Sequence, residues 1–133
     1  MKKPSKTTVH EASHAVIAHQ LGLKVVEIVV ESNEVGHCDS ERSGCPITDA
    51  CIMLAGHEAE ILWFDADPRL FPDVDFKNLK KIKVSTTGCN IVRDPIIAFL
   101  KAHKKLIWHV ARELDKRKMI SRRVFLKLVR DVK

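Results

Sequence analysis

The sequence predicts an α+β fold, mostly helical, with a small sheet or hairpin beside an N-terminal helix and a helical pair at the C-terminus. Three observations carry this. Apolar residues recur at helical spacing over 9–21 and again over 96–114. A single run rich in β-branched residues, 23–31, is bounded by Gly22 and by Ser32-Asn33, as a strand should be. Between them lies a nineteen-residue segment, 46–64, that is apolar on more than one face and reads as a buried helix.

A chain of 133 residues is expected to form one domain, 1–133, with a core of its own and a flexible lead at 1–5. Its 45% hydrophobic and 30% charged residues suit a globular protein in water. No apolar run approaches the ~18 residues of a membrane span, and the basic start Met1-Lys2-Lys3 has no apolar stretch behind it to make a signal peptide. A cytoplasmic location with no membrane partner is therefore expected. The four cysteines, Cys38, Cys45, Cys51 and Cys89, form no C-x-x-C pair and read as free thiols. His37 with Cys38 and Cys45 matches no common zinc spacing.

Net charge is +6 but unevenly placed: residues 101–133 hold twelve Lys/Arg against three Asp/Glu, and the first hundred hold eleven against fourteen. Such a basic end suits nucleic acid or an acidic partner, yet it equally suits the solvated faces of amphipathic helices. With no interleaved aromatic-basic motif, nucleic acid is not expected as the partner.

The elements follow in order. Any of Ser5 to Thr8 can cap a helix that runs to about Leu21 and stops at Gly22. After the strand, Ser32-Asn33-Glu34 turns the chain, and Val35-Gly36-His37-Cys38 returns as a short second strand. Gly36 there suits either a bulge or the close approach of another backbone, such as an extended peptide. Pro46 fits the first turn of the second helix. Asp73 caps a third, 73–82; Ser85-Thr86-Thr87-Gly88 reads as a loop. Asp94-Pro95 opens a long amphipathic helix through Leu114, and Ser121 caps the last.

The chemistry lies in the first helix, in His10-Glu11-Ala12-Ser13-His14. Residues four apart share a helix face, so His10 and His14 can present two imidazoles to one zinc ion, with Glu11 at the edge of that face. Catalytic zinc takes three protein ligands and leaves a position for water, whose pKa falls to about 7; a neighbouring carboxylate can accept that water's proton. The third ligand must come from elsewhere. Glu58, Glu60, Asp65, Asp67, Asp73 and Asp75 are all candidates, and spacing alone does not separate them.

The chain resembles the peptidase domain of the FtsH-type (AAA) zinc proteases. Thr8-Val9-His10-Glu11-Ala12-Ser13-His14-Ala15 is similar to that family's H-E-A-G-H-A helix, and Lys24–Val30 with Val35-Gly36 to its first strand and following glycine. Leu54-Ala55-Gly56-His57-Glu58-Ala59-Glu60-Ile61 is similar to its L-G-G-R-A-A-E-E helix, and the closing helices match in pattern. The resemblance implies a fold with its His-Glu-x-x-His helix beside a small sheet. It implies one zinc held by His10, His14 and an aspartate opening the next helix, about fifteen residues past Glu60. Asp75 stands there, with Asp73 second. On chemical grounds Glu11 is expected as general base, Glu60 as a partner orienting a histidine, and the strand with Val29, Val30 and Gly36 as the place where substrate is held extended.

Two departures stand out: Ser13 replaces the motif glycine, and Pro68-Arg69-Leu70-Phe71-Pro72 replaces the family's S-T-G-A segment. There is no phosphate-binding loop, so an ATP-independent peptidase acting on unstructured polypeptides is expected, alone, as a homo-oligomer, or with a separate ATPase. A non-catalytic zinc-binding interaction module of the same fold is the alternative.

Overall fold

The computed structural model describes residues 3–32, 34–67 and 86–132, with backbone alone over 86–92. The helix expected over 73–82, with Asp73 and Asp75, lies outside the described residues.

Helix α1, Lys6–Gln20, is the hub: every residue from Thr7 to Ala18 is buried. Both its ends are fixed by local chemistry. The Ser5 hydroxyl accepts from the Thr8 amide and donates to the Asp115 carboxylate at 2.9 Å, and the Ser5 amide donates to the same carboxylate at 3.1 Å. One side chain thus caps the helix and ties its start to a later one. At the other end Gly22 takes φ +82°. Its amide bonds the His19 carbonyl, and the Leu23 amide bonds that of Ala18, both at 3.0 Å. This paired closure needs a left-handed residue, which glycine adopts without strain.

The next two elements are strands β1, Val25–Val30, and β2, Gly36–Ser40, paired antiparallel with Ile28 opposite Cys38 and Val30 opposite Gly36. Helix α2 spans Pro46–Phe64, with Pro46 in its first turn. Helices α3, Thr86–Ala102, and α4, Lys104–Arg117, follow; then strand β3, Met119–Ser121, and helix α5, Arg122–Asp131, capped by Ser121. The sheet order is β2-β1-β3. Its inner face (Val25, Ile28, Val30 and Ile120) joins Val9 and Val16 of α1 and Ile107, Val110, Leu114 and Phe125 in one core. Glu27, Val29, His37 and Asp39 lie on its outer face.

Three details depart from expectation. β3 adds a third strand that three residues, Met119-Ile120-Ser121, are too short to announce in sequence. α3 begins at Thr86, not at Asp94-Pro95, and so carries Pro95 in its interior. The turn chemistry of 85–88 and the proline are overridden as α3 packs on α2 and buries Ile96 and Leu100. The long helix is also divided, at His103, whose ring Nδ1 donates to the Phe99 carbonyl at 3.0 Å.

Lys118 turns α4 into β3 with φ +65°. Its amide bonds the Leu114 carbonyl and its own carbonyl accepts from Val30, so its conformation sets the register of β3 on β1. A side chain in that region carries strain that glycine lacks. Lys118→Gly is therefore expected to raise stability by about 0.5–1 kcal/mol, read as a higher urea midpoint at unchanged m-value.

Candidate metal centre

α1 carries His10, Glu11 and His14 on one buried face, between β2 on one side and α2 on the other. Ligand-capable atoms of the three lie within 4.8 Å of one another, and among the described residues no further His, Cys, Asp or Glu joins this group.

The two imidazoles are aimed from behind. The His14 Nδ1–H donates to the Ile52 carbonyl at 2.6 Å, and the His10 Nδ1–H donates to Glu60 Oε2 at 2.8 Å, both partners being on α2. A carbonyl oxygen only accepts, and Glu60 is held as a carboxylate, so each ring carries its proton on Nδ1. Both Nε2 atoms then present lone pairs, and they face one another at 3.0 Å. Two such lone pairs repel unless a proton or a metal ion lies between them. Nitrogens bound tetrahedrally at 2.0–2.1 Å to a zinc ion sit about 3.3 Å apart, close to what is found. The donor set fits a soft-to-borderline divalent ion, with a third ligand to be supplied.

Glu60, expected behind a histidine, stands against the Nδ1 side of His10. Burial pushes its carboxyl up, but the hydrogen bond from His10 and the nearby Lys6 ammonium outweigh that and hold it below the ordinary carboxylate range. Lys6 Nζ lies 3.7 Å from its other oxygen. Facing the back of His10, Glu60 is not itself placed as a ligand. Glu58 points elsewhere and accepts from Arg93 Nε at 3.1 Å.

Two glycines leave room for the motif. A Cβ on Gly56 would lie 2.6 Å from His10 Nε2, and one on Gly36 would lie 2.9 Å from the Val29 carbonyl oxygen and 3.0 Å from Glu11 Cγ. Gly56 therefore lets α2 slide against the imidazole, and Gly36 lets β2 lie over the Glu11 carboxylate. Ser13, at the position of the family's glycine, is fully buried, and its hydroxyl donates to the Val9 carbonyl at 2.7 Å, so the substitution is accommodated inside the helix.

Glu11 Oε1 lies 3.9 Å from His14 Nε2, on the side of the two facing Nε2 atoms rather than behind a ring. The side chain is buried and the thiol of Cys38 on β2 stands next to it. Burial, then the charges of Glu11 and Asp39, push that thiol far up, so it is a neutral, unreactive neighbour.

The expectation that β1 presents Val29 and Val30 to a substrate is corrected. β1 is the central strand: Val29 pairs with His37 on one side and Met119 on the other, and the Val30 amide bonds the Lys118 carbonyl. Among the described residues the open edge belongs to β2, which starts at Gly36. Asp75 and Asp73 lie outside the described residues. Two contributors escaped the sequence: the Ile52 carbonyl, which no side-chain pattern reveals, and the steric role of Gly56, whose signal is a glycine midway along a long apolar helix.

Residues 3–66, just under half of the chain, match the family model described as Peptidase M50B-like, a metallopeptidase family. The matched stretch contains α1, the β1–β2 hairpin and α2, which are the elements that build this centre. Comparison with curated proteins gives no match. Among the described residues no helix is long and apolar enough to cross a membrane.

Two substitutions test the arrangement. Glu60→Gln is expected to weaken zinc binding by about 10–100-fold, as loss of a carboxylate behind a ligand histidine does, in a competitive chelator titration. Gly56→Ala is expected to displace the His10 ring and cost about 1–3 kcal/mol of stability, measured by urea unfolding with metal content read in parallel.

Proposed function

We propose that this chain is a zinc-dependent endopeptidase that cleaves unstructured polypeptide segments, and that its peptidase centre is of the FtsH type. The observation that carries the reading is the pair of Nδ1-braced imidazoles with facing Nε2 lone pairs beside a buried glutamate. The match to a metallopeptidase family model over the same elements supports it.

His10 and His14 would hold the ion through Nε2, with Asp75 as the third ligand and Asp73 as the second candidate. When bound, the ion would supply Lewis acidity toward the scissile carbonyl and lower the pKa of a bound water to about 7. Glu11 takes the proton from the attacking water and passes it to the leaving amine nitrogen. Glu60 fixes the His10 tautomer and the Ile52 carbonyl fixes that of His14.

Substrate binds extended along the open edge of β2, where main-chain pairing needs no particular sequence. That edge leads to Gly36, over the Glu11 carboxylate. Only an unfolded or exposed segment can add as a strand there, so folded substrates call for a separate unfolding partner.

Metal analysis of purified protein is expected to find one zinc per chain, lost in Asp75→Ala. Glu11→Gln is expected to retain the zinc while cleavage of an unfolded protein falls by at least the 10²–10⁴-fold typical of a lost general base. Undiminished cleavage by that variant would end the proposal.

A further inference from the structure

We infer that the cleft carries a side-chain subsite selective for a lysine or arginine of the substrate, in the cavity between β2 and the first half of α2. This rests on the peptidase reading above and names the substrate class of that site.

The cavity has a volume of about 200 Å³. Whole small-molecule sites run to about 300–1,000 Å³, so this one suits a single long side chain. It adjoins the metal centre through two of its lining residues. Ile52 lines it and also supplies the carbonyl that braces His14. Cys38 lines it and stands beside Glu11. A side chain entering the cavity therefore belongs to a residue within a few positions of the bond attacked.

The strand geometry delivers such a side chain. Along β2, Gly36, Cys38 and Ser40 face inward, and His37 and Asp39 face outward. A peptide added at the open edge alternates in the same way, so every second side chain points toward α1 and α2. Cys38 and Ser40 lie on the wall of the cavity and on the strand that would hold the peptide.

The lining is apolar within and acidic at its rim. Ile52, Met53 and the neutral thiol of Cys38 offer an uncharged wall against which an aliphatic stem can lie. Asp39, Glu41 and Asp49 face a single cation, Arg42. Arg42 Nε lies 4.0 Å from Asp49 Oδ2, whose other oxygen accepts from the Ser43 amide and hydroxyl, so that pair offsets itself. Asp39 and Glu41 leave the rim net negative, Asp39 from the outer face of β2 and Glu41 with its Oε1 accepting from the Lys24 amide at 2.6 Å, a bond that leaves its charge in place. His37 Nε2, 3.8 Å from Asp39 on the outer face, is half-exposed and does not enter the cavity lining. An apolar stem ending in a positive charge is the chemistry of lysine and arginine.

The test is a pair of measurements on the full chain. In the first, cleavage products of a randomised peptide library are sequenced. Lysine and arginine are expected to be enriched at one fixed position within three residues of the cut, about fivefold over alanine, the scale of one partly screened ion pair. In the double variant Asp39→Asn/Glu41→Gln the lysine-to-alanine ratio at that position should fall toward one, mainly through KM. Cleavage without basic enrichment, or enrichment that survives the double substitution, would overturn the inference while leaving the peptidase reading intact. In the second, labelled peptides differing only in Lys or Glu at that position are titrated into zinc-loaded Glu11→Gln protein. If the wild type cleaves nothing, the peptidase reading fails, and a library of labelled peptides bound to this variant decides the cavity: tighter binding of basic peptides, lost in the double variant, upholds it, and equal binding overturns it.

Discussion

The structure depends on one electrostatic conflict: two imidazole lone pairs held 3.0 Å apart inside the molecule. Nothing in α1 alone forces this. A surface helix with histidines four apart would let both rings rotate to water. Here each ring is pinned through its Nδ1–H, one to a backbone carbonyl and one to a carboxylate, and both anchors come from α2. The packing of α2 on α1 therefore does two things at once: it closes the core and it points both Nε2 atoms at the same spot. A metal ion shared by the two nitrogens, or a proton on one of them, turns that repulsion into attraction.

The surrounding elements can be understood as what such a face needs. A helix buried along twelve consecutive residues must have neighbours on every side, and each neighbour here yields where the motif would collide with it. On one side α2 has Gly56 under the His10 ring, and on the other β2 has Gly36 over Glu11. Larger residues at these two positions would push α2 and β2 away from α1 and open the anchoring hydrogen bonds. The third strand serves β1 rather than the site directly. By pairing with its second edge, β3 makes β1 the fixed interior of the sheet and leaves β2 as the edge that borders the cleft.

Much of this was legible in the sequence, and the parts that were not share a physical cause. The α1 face, the β1 run, the limits of α2 and the caps at Ser5 and Ser121 follow from periodicity and local hydrogen bonding, which neighbouring residues encode. Glu60 was a candidate for orienting a histidine, but its pairing with His10 in particular depends on how α2 lies on α1. What failed was whatever tertiary packing decides: helix α3 running through Pro95, the division at His103, and the three-residue strand at Met119. The same holds for the open edge. A β-branched strand announces burial, but which of its edges is occupied depends on a segment ninety residues later in the chain, so Val29 and Val30 looked available when they were not. The Ile52 contribution is made by a carbonyl that every residue possesses, and no reading of side chains finds it.

The charge arrangement extends the first argument to the choice of ion. Glu11 and Glu60 are both carboxylates in buried surroundings, and burying anions is costly unless positive charge is near. Lys6 approaches Glu60 from the solvent side and His10 donates to it, so that carboxylate is stabilised where it stands. Glu11 faces the cleft instead, beside a thiol that stays neutral. A monovalent cation between the imidazoles would meet neutral ligands and one carboxylate at a distance, which favours binding weakly. A divalent ion meets the same ligands with twice the charge and prefers imidazole nitrogen, as zinc does. Glu11 lies beside the same two Nε2 atoms, so a divalent ion held there would act on its carboxylate as well as on the imidazoles. Both effects would run through the contact between α1 and α2, because both ring anchors come from α2.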